Sequence, residues 1–140
     1  MRKLLIAASL FVLLLARVSV RADESEIDAK ALAEALDRAL KAYNEDDHKQ
    51  FWAEFGSAAD ALKTKETFGA LYVNGYKKQF GKLVKRGDLI KDKSVLRGDL
   101  GLARYKAEFA QDKKVEIDVN WVIENKKIRF VQILFAKLEE

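Results

Sequence analysis

KVEIDVNWVIENKKIRFVQILF, residues 114–135 of the chain, holds two extended segments joined at Asn125 and Lys126. In the first segment apolar residues alternate with polar ones, and a period of two is typical of a strand with one dry face and one wet face. Only Val122 breaks the alternation. The pattern predicts a row of core-facing side chains on this strand: Val115, Ile117, Val119, Trp121 and Ile123.

The return segment, residues 127–137, has apolar residues at both parities. Ile128, Phe130 and Leu134 share one parity, and Val131, Ile133 and Phe135 share the other. A strand that is apolar on both faces is usually central in a sheet, or meets another surface with its second face. The face that carries Ile128, Phe130 and Leu134 is therefore our candidate for contact with another molecule.

The first acidic residue of the chain is Asp23, and four of the 26 basic residues precede it. The rest of the chain therefore carries 22 basic and 22 acidic residues, so the net charge of +4 belongs to this leader. A cationic start, an apolar run over residues 4–16 and small residues at Val20 and Ala22 are typical of a secretory signal. We predict a signal peptide over residues 1–22, cleaved after Ala22.

An uncleaved membrane anchor is the alternative interpretation of the leader. A helix over residues 4–16 would rise only about 20 Å, which is short of the roughly 30 Å hydrocarbon layer. The chain has no cysteine, which excludes disulfides and attachment of lipid to a cysteine. We therefore expect a periplasmic or secreted domain over residues 23–140 that is stabilised by its apolar core and contacts a membrane only through the transient signal.

Helical spacing of apolar residues predicts a first helix over residues 27–43, a short second helix over 48–55 and a third that begins at Thr64 or Thr67 and ends at Phe80. Alternation returns in a one-sided strand over residues 103–109, and two short edge strands are expected within 82–98. Helices followed by an antiparallel meander define an α+β domain, with the helices packed on one face of a curved sheet of about four strands.

This order of elements resembles the nuclear-transport-factor-2-like, or cystatin-like, superfamily. The features that carry the resemblance are the long first helix, the acidic turn at 44–47 followed by Phe51 and Trp52, the third helix and the terminal sheet. The run from Trp52 to Arg86 is similar to small exported bacterial domains of unknown function. The resemblance implies a cone of helices over a bent sheet, often with an internal pocket and often paired as a homodimer. The superfamily contains isomerases, dehydratases and members without known activity, so the fold alone does not assign a function.

The residues do not favour catalysis or a metal. An isomerase-like site would need an acid or a histidine inside the cone, but Glu108, Glu116 and Asp118 have the parity opposite to the core and are expected to be solvated. The single histidine, His48, follows two aspartates at a helix start and lacks further nitrogen or sulfur ligands. We therefore predict no cofactor and no metal. Aromatic residues are expected to line the pocket of the cone: Tyr72, Tyr76, Tyr105, Phe109 and Trp121.

Three functional hypotheses remain open. The first is a non-enzymatic exported module that binds a small apolar ligand or a protein partner, as a homodimer through the face with Ile128, Phe130 and Leu134. The second is a small isomerase or dehydratase that uses Asp99 or Asp88. The third is a basic adaptor for anionic cell-envelope surfaces, based on eight basic residues between positions 77 and 97; nucleic acid is not expected as a partner of an exported protein. The basic residues are Lys77, Lys78, Lys82, Lys85, Arg86, Lys91, Lys93 and Arg97.

Overall fold

The structure, a computed structural model, describes residues 25–139, and the predicted signal peptide lies outside them. Its helical elements come first along the chain. They are α1 (Ala29–Asn44), α2 (His48–Trp52), a 3₁₀ helix (Ser57–Leu62), and a third helix that starts as α3 (Lys65–Phe68), continues as a π-helix (Gly69–Tyr76) and ends as α4 (Lys77–Phe80).

The second half of the chain forms one antiparallel sheet in the order β1-β2-β3-β4. The predicted α+β class is confirmed, with the helices preceding a curved sheet of four strands. Only one regular strand forms within residues 82–98, where two were expected, because a 3₁₀ turn at Lys91–Lys93 interrupts the chain after β1. The strands are β1 (Leu83–Leu89), β2 (Leu100–Phe109), β3 (Asp112–Glu124) and β4 (Lys127–Lys137).

The predicted parity of β3 is confirmed. Val115, Ile117, Val119 and Trp121 are all 0% exposed and belong to the apolar core. The indole Nε1 of Trp121 donates a hydrogen bond to the main-chain oxygen of Val95 at 3.1 Å. The buried ring therefore leaves no polar atom unsatisfied, which makes burial of a tryptophan favourable.

A β-bulge changes the parity of β4. Asn120 of β3 pairs with Gln132, whereas its neighbour Trp121 pairs with Phe130, so Val131 has no partner on β3. One extra residue in a strand reverses the faces of all residues beyond it and bends the strand. This irregularity explains why apolar residues occupy both parities of the segment.

The bulge separates the three residues that were expected to share a contact face. Ile128 and Phe130 pair with the β3 residues Ile123 and Trp121, on the helix side of the sheet, whereas Leu134 pairs with Asp118 on the opposite side. Phe130 is 0% exposed, because its ring packs 5.9 Å from that of Phe55. The expectation of one common face was wrong for this reason, while self-association of the protein stays a prediction.

The third helix packs four aromatic side chains against the sheet. Phe68, Tyr72, Tyr76 and Phe80 are spaced by four residues, and all are buried. In a regular α-helix each step of four residues advances about 40° beyond a full turn, so the row would drift off the sheet. The wider π-helical turns at 69–76 reduce this drift.

The hydroxyl of Tyr72 connects this helix to β4. It donates a hydrogen bond of 2.7 Å to the main-chain oxygen of Ile133, and burial raises the pKa of Tyr72 well above its usual value. Because β4 has a strand neighbour on one side only, this contact supplies a partner for the backbone of an edge strand.

We expect Tyr72→Phe to lower the free energy of unfolding by about 1–2 kcal/mol, because the buried carbonyl of Ile133 loses its donor. Urea denaturation followed by tryptophan fluorescence measures the change. Tyr105→Phe is the matched control, since the Tyr105 hydroxyl has no hydrogen bond among those described for residues 25–139 and its ring is equally buried. Equal losses in the two variants would contradict a stabilising role for the Tyr72 hydroxyl.

Candidate functional site

The aromatic residues expected to line a pocket are part of the filled core. Tyr72, Tyr76, Tyr105, Phe109 and Trp121 are each at most 5% exposed. The rings of Tyr72, Tyr76 and Phe109 contact other core rings: those of Tyr76 and Phe109, for example, lie 4.8 and 4.9 Å from the ring of Phe135. None of the five lines the cavity that the described part of the chain forms at the start of α1.

That cavity, of about 670 Å³, lies at the mouth of the cone, where the start of α1 meets the turn between β3 and β4. Its apolar lining comes from the segment before α1, from the first two turns of α1 and from the ends of β3 and β4 that meet the turn. The apolar residues of the lining are Ile27, Ala31, Ala35, Ile123 and Ile128.

One wall of the cavity is the segment 25–28, held against residues 96–99 by the backbone. Gly98 donates its N–H to the oxygen of Ser25 at 3.0 Å, and Ile27 donates to the oxygen of Leu96 at 2.9 Å. Asp28 is the N-cap of α1, and its carboxylate accepts hydrogen bonds from the N–H groups of Lys30 and Ala31. The wall thus joins the first helix to the start of β2.

The opposite wall is the β3–β4 turn. Asn125 and Lys126 have positive φ angles of 52° and 65°, the conformation of a tight hairpin turn. The carboxylate of Glu124 accepts hydrogen bonds from the N–H and the hydroxyl of Ser57, and these bonds lower the pKa of Glu124. The turn is therefore attached to the loop that follows α2.

Further contacts hold this wall in place. The guanidinium of Arg38 donates to both carboxylate oxygens of Glu54 at 3.1 and 3.0 Å, and the hydrogen bond to Glu54 raises the pKa of Arg38. Arg129 donates through Nη1 to the oxygen of Ala53 at 3.0 Å. The backbone of Phe130 exchanges hydrogen bonds with that of residues 54–56. The loop after α2 thus serves as a partner for the first half of β4.

The two candidate acids of the enzyme hypothesis lie far apart in the fold. Asp99 lines the mouth cavity and is exposed to solvent. Asp88, also exposed, lies in β1 and lines a groove of about 210 Å³ instead. A general acid or base is usually poised by apolar surroundings, which neither exposed carboxylate has.

The expectation that Asp118 is solvated on the outer face of the sheet was wrong. The parity was right, because Asp118 points away from the core, but its side chain is only 12% exposed. Cross-strand neighbours on β2 and β4, Arg104 and Leu134, flank it. Burial, with a hydrogen bond and charge repulsion from Glu116, raises the pKa of Asp118 to about 8.

The outer face around Asp118 has unsatisfied polar atoms. The Nε of Arg104 lies 3.6 Å from Oδ1 of Asp118, too far for a hydrogen bond, and neither atom has another partner. Asn120, 3% exposed, donates to Gln132, yet its own Oδ1 accepts no hydrogen bond. This cluster is separate from the residues that line the mouth cavity.

The remaining candidates have structural partners. His48 is the first residue of α2, with its ring 6.4 Å from that of Phe68. Among the eight basic residues of the proposed adaptor strip, Lys77, Arg86 and Arg97 form ion pairs with Asp46, Asp37 and Glu26. These pairs reduce the positive charge that the strip presents.

The described residues form neither a metal-ligand cluster nor a membrane-crossing helix. Across residues 25–139, no three or more His, Cys, Asp or Glu side chains lie close enough together to hold a metal ion. No helix in the same range has the length and apolar character needed to cross a membrane.

Helices followed by a curved four-stranded antiparallel sheet are consistent with a cystatin-like α+β fold. A protein of unknown function with a cystatin-like fold from Nostoc punctiforme aligns with a TM-score of 0.54 and 13% sequence identity. The alignment covers 79% of this chain and 93% of that one. No protein-family model and no curated protein matches the chain. At this identity the likeness shows the fold alone.

We expect Asp118→Asn to flatten the pH dependence of stability between about pH 4 and pH 8. In this range the unfolded chain loses the Asp118 proton while the folded protein keeps it, so this carboxyl lowers stability as pH rises, with a limiting slope of about 1.4 kcal/mol per pH unit. Above the folded pKa the penalty stays constant.

Urea denaturation at a series of pH values from 4 to 9 tests this expectation, with Glu108→Gln as the matched control on the exposed part of the same sheet face. The control should keep the slope of the unsubstituted protein. An unchanged slope in Asp118→Asn would show that the carboxyl titrates in the folded protein as it does in water.

Proposed function

We propose that the protein is a non-enzymatic exported module that binds a small molecule with an apolar body in the mouth cavity. The observation that carries the proposal is the cavity itself, with its volume of about 670 Å³ and a lining that combines five apolar residues with nine polar or charged ones. Its volume lies within the range of roughly 300–1,000 Å³ that is typical of small-molecule sites, where apolar residues bury the ligand and polar groups orient it.

The construction of the cavity supports binding. Backbone hydrogen bonds hold one wall, and the contacts of Glu124, Arg38 and Arg129 hold the other. A cavity whose walls are fixed before the ligand arrives loses less conformational entropy on binding. Such a site favours affinity for a ligand without requiring a moving lid.

The distribution of acids favours binding over the isomerase or dehydratase alternative. The acid with a strongly raised pKa, Asp118, does not line the cavity, and Asp99, which does, is exposed. The exposed carboxylate of Asp99 lacks the apolar surroundings of a general acid or base, but it can still attract a cationic group of a ligand.

Export is the second part of the proposal. It is supported by the signal-like composition of residues 1–22. Cleavage after Ala22 would leave a short segment before Ser25, which lies at the rim of the cavity. The mature protein would therefore present the cavity close to its amino terminus.

We expect Ala31→Leu to reduce binding of 1-anilinonaphthalene-8-sulfonate, an apolar anion, by at least about tenfold, because the larger side chain fills the cavity from α1. Fluorescence titration measures the affinity, and circular dichroism checks that the helix is retained. Leucine and alanine both favour helices, so the substitution should not unfold α1.

Ala33→Leu is the matched control, because Ala33 lies on the same helix but does not line the cavity. It should bind the dye as the unsubstituted protein does. Equal dye binding by both variants and the unsubstituted protein would place the dye elsewhere and contradict the proposed site.

A further inference from the structure

Resting on the proposed function, we infer that the ligand is a zwitterion, a short extended peptide of about three residues with a free amino end and a free carboxylate. Its amino end would lie at the wall that carries Asp99, and its carboxylate at the wall formed by the β3–β4 turn. The inference depends on how charge is distributed around the cavity.

On the acidic wall, the carboxylate of Asp99 can bind a cation. Three other acids line the cavity, but each is engaged: Asp28 caps α1, Glu54 binds Arg38, and Glu26 lies 3.6 Å from Arg97. Asp99 is exposed, and the part of the chain that the structure describes gives its carboxylate no ion pair. Its negative charge is thus available to an ammonium group.

On the basic wall, the ammonium groups of Lys126 and Lys127 can bind an anion. Both line the cavity, and the described ion pairs of residues 25–139 include neither. Arg129 adds a third positive group, fixed by its bond to Ala53 and partly offset by the nearby carboxylate of Glu124. Arg38 differs from these three because Glu54 already neutralises it.

The distance between the walls sets the length of the ligand. The main-chain oxygen of Asp99 accepts a hydrogen bond from the N–H of Ile123 at 2.7 Å, and Ile123 pairs with Ile128 on β4. Asp99 and the start of β4 are thus two strand spacings apart, about 10 Å. An extended chain spans about 3.3 Å per residue, so three residues bridge the walls.

The lining between the walls is apolar. Ile123 and Ile128 lie on the sheet side, and Ala31 and Ala35 lie on the helix side. Apolar side chains of a peptide would be removed from water there, while its two charged ends remain near opposite charges. A ligand with a carboxylate but no amine would leave Asp99 without a partner. A ligand with an amine but no carboxylate would leave Lys126 and Lys127 without one.

Isothermal titration calorimetry at low salt with trileucine as the probe tests the inference. Trileucine should bind, and its N-acetylated and C-amidated forms should each bind about fivefold more weakly, as expected for loss of one exposed ion pair. Binding of all three peptides with equal affinity would overturn the role of the charges.

Two variants assign each end of the peptide to its wall. Asp99→Asn should weaken the binding of trileucine but leave the affinity for N-acetyl-trileucine unchanged. The double substitution Lys126→Gln with Lys127→Gln should weaken the binding of trileucine but leave the affinity for trileucine amide unchanged. Two control variants make the same charge changes away from the cavity and should leave the affinity for trileucine unchanged. They are Asp88→Asn and the double substitution Lys78→Gln with Lys82→Gln. Equal effects of cavity and control variants would overturn the assignment.

Competition with the dye separates this inference from the proposed function. Ala31→Leu could block binding of the dye while trileucine neither binds to the protein nor displaces the dye. In that case the cavity is a binding site, and the inference of a zwitterionic ligand is wrong. If the substitution leaves dye binding unchanged and trileucine does not bind, both conclusions fail. Displacement of the dye by trileucine, lost in Ala31→Leu, supports both.

Discussion

The unpaired residue Val131 is the constraint on which the arrangement of the sheet depends. It lies between Phe130, which pairs with Trp121, and Gln132, which pairs with Asn120. Without it, Phe130 and Ile133 could not both face the helices, because residues three apart in a regular strand point to opposite faces. The bulge therefore allows both halves of β4 to contribute to one core, and it bends the strand that closes the cone.

The same bulge divides β4 into halves with different neighbours. The first half exchanges backbone hydrogen bonds with residues 54–56 and forms a wall of the cavity. In the second half Ile133 accepts a hydrogen bond from the Tyr72 hydroxyl of the third helix. Both contacts provide partners for the backbone of a strand at the sheet edge, where unpaired groups favour aggregation. The cavity wall and the protection of the edge thus depend on one local irregularity.

The sequence predicted what a regular period can reveal. Alternation along β3 identified its buried face correctly, and the order of elements identified the α+β class. The parity of β4 was misassigned because a bulge has no clear signal in apolar periodicity. Burial of Asp118 was missed since it depends on Arg104 and Leu134 of the neighbouring strands. The cavity could not be predicted, because its lining comes from segments around residues 27, 38, 98 and 127 that only the fold brings together.

The filled interior explains why the proposed ligand site lies at the mouth of the cone and not inside it. The ring of Tyr43 contacts the rings of Tyr72, Phe109 and Phe135 edge to face, with ring centroids 5.2–6.3 Å apart. Its hydroxyl donates a hydrogen bond to the main-chain oxygen of Gly81. Such contacts stabilise the core by about 0.5–1.5 kcal/mol each beyond burial, and a ligand would have to displace them. At the mouth the small side chains of Ala31 and Ala35 leave space beside α1. The aromatic residues stabilise the core, and the small side chains of the alanines leave the cavity open beside α1.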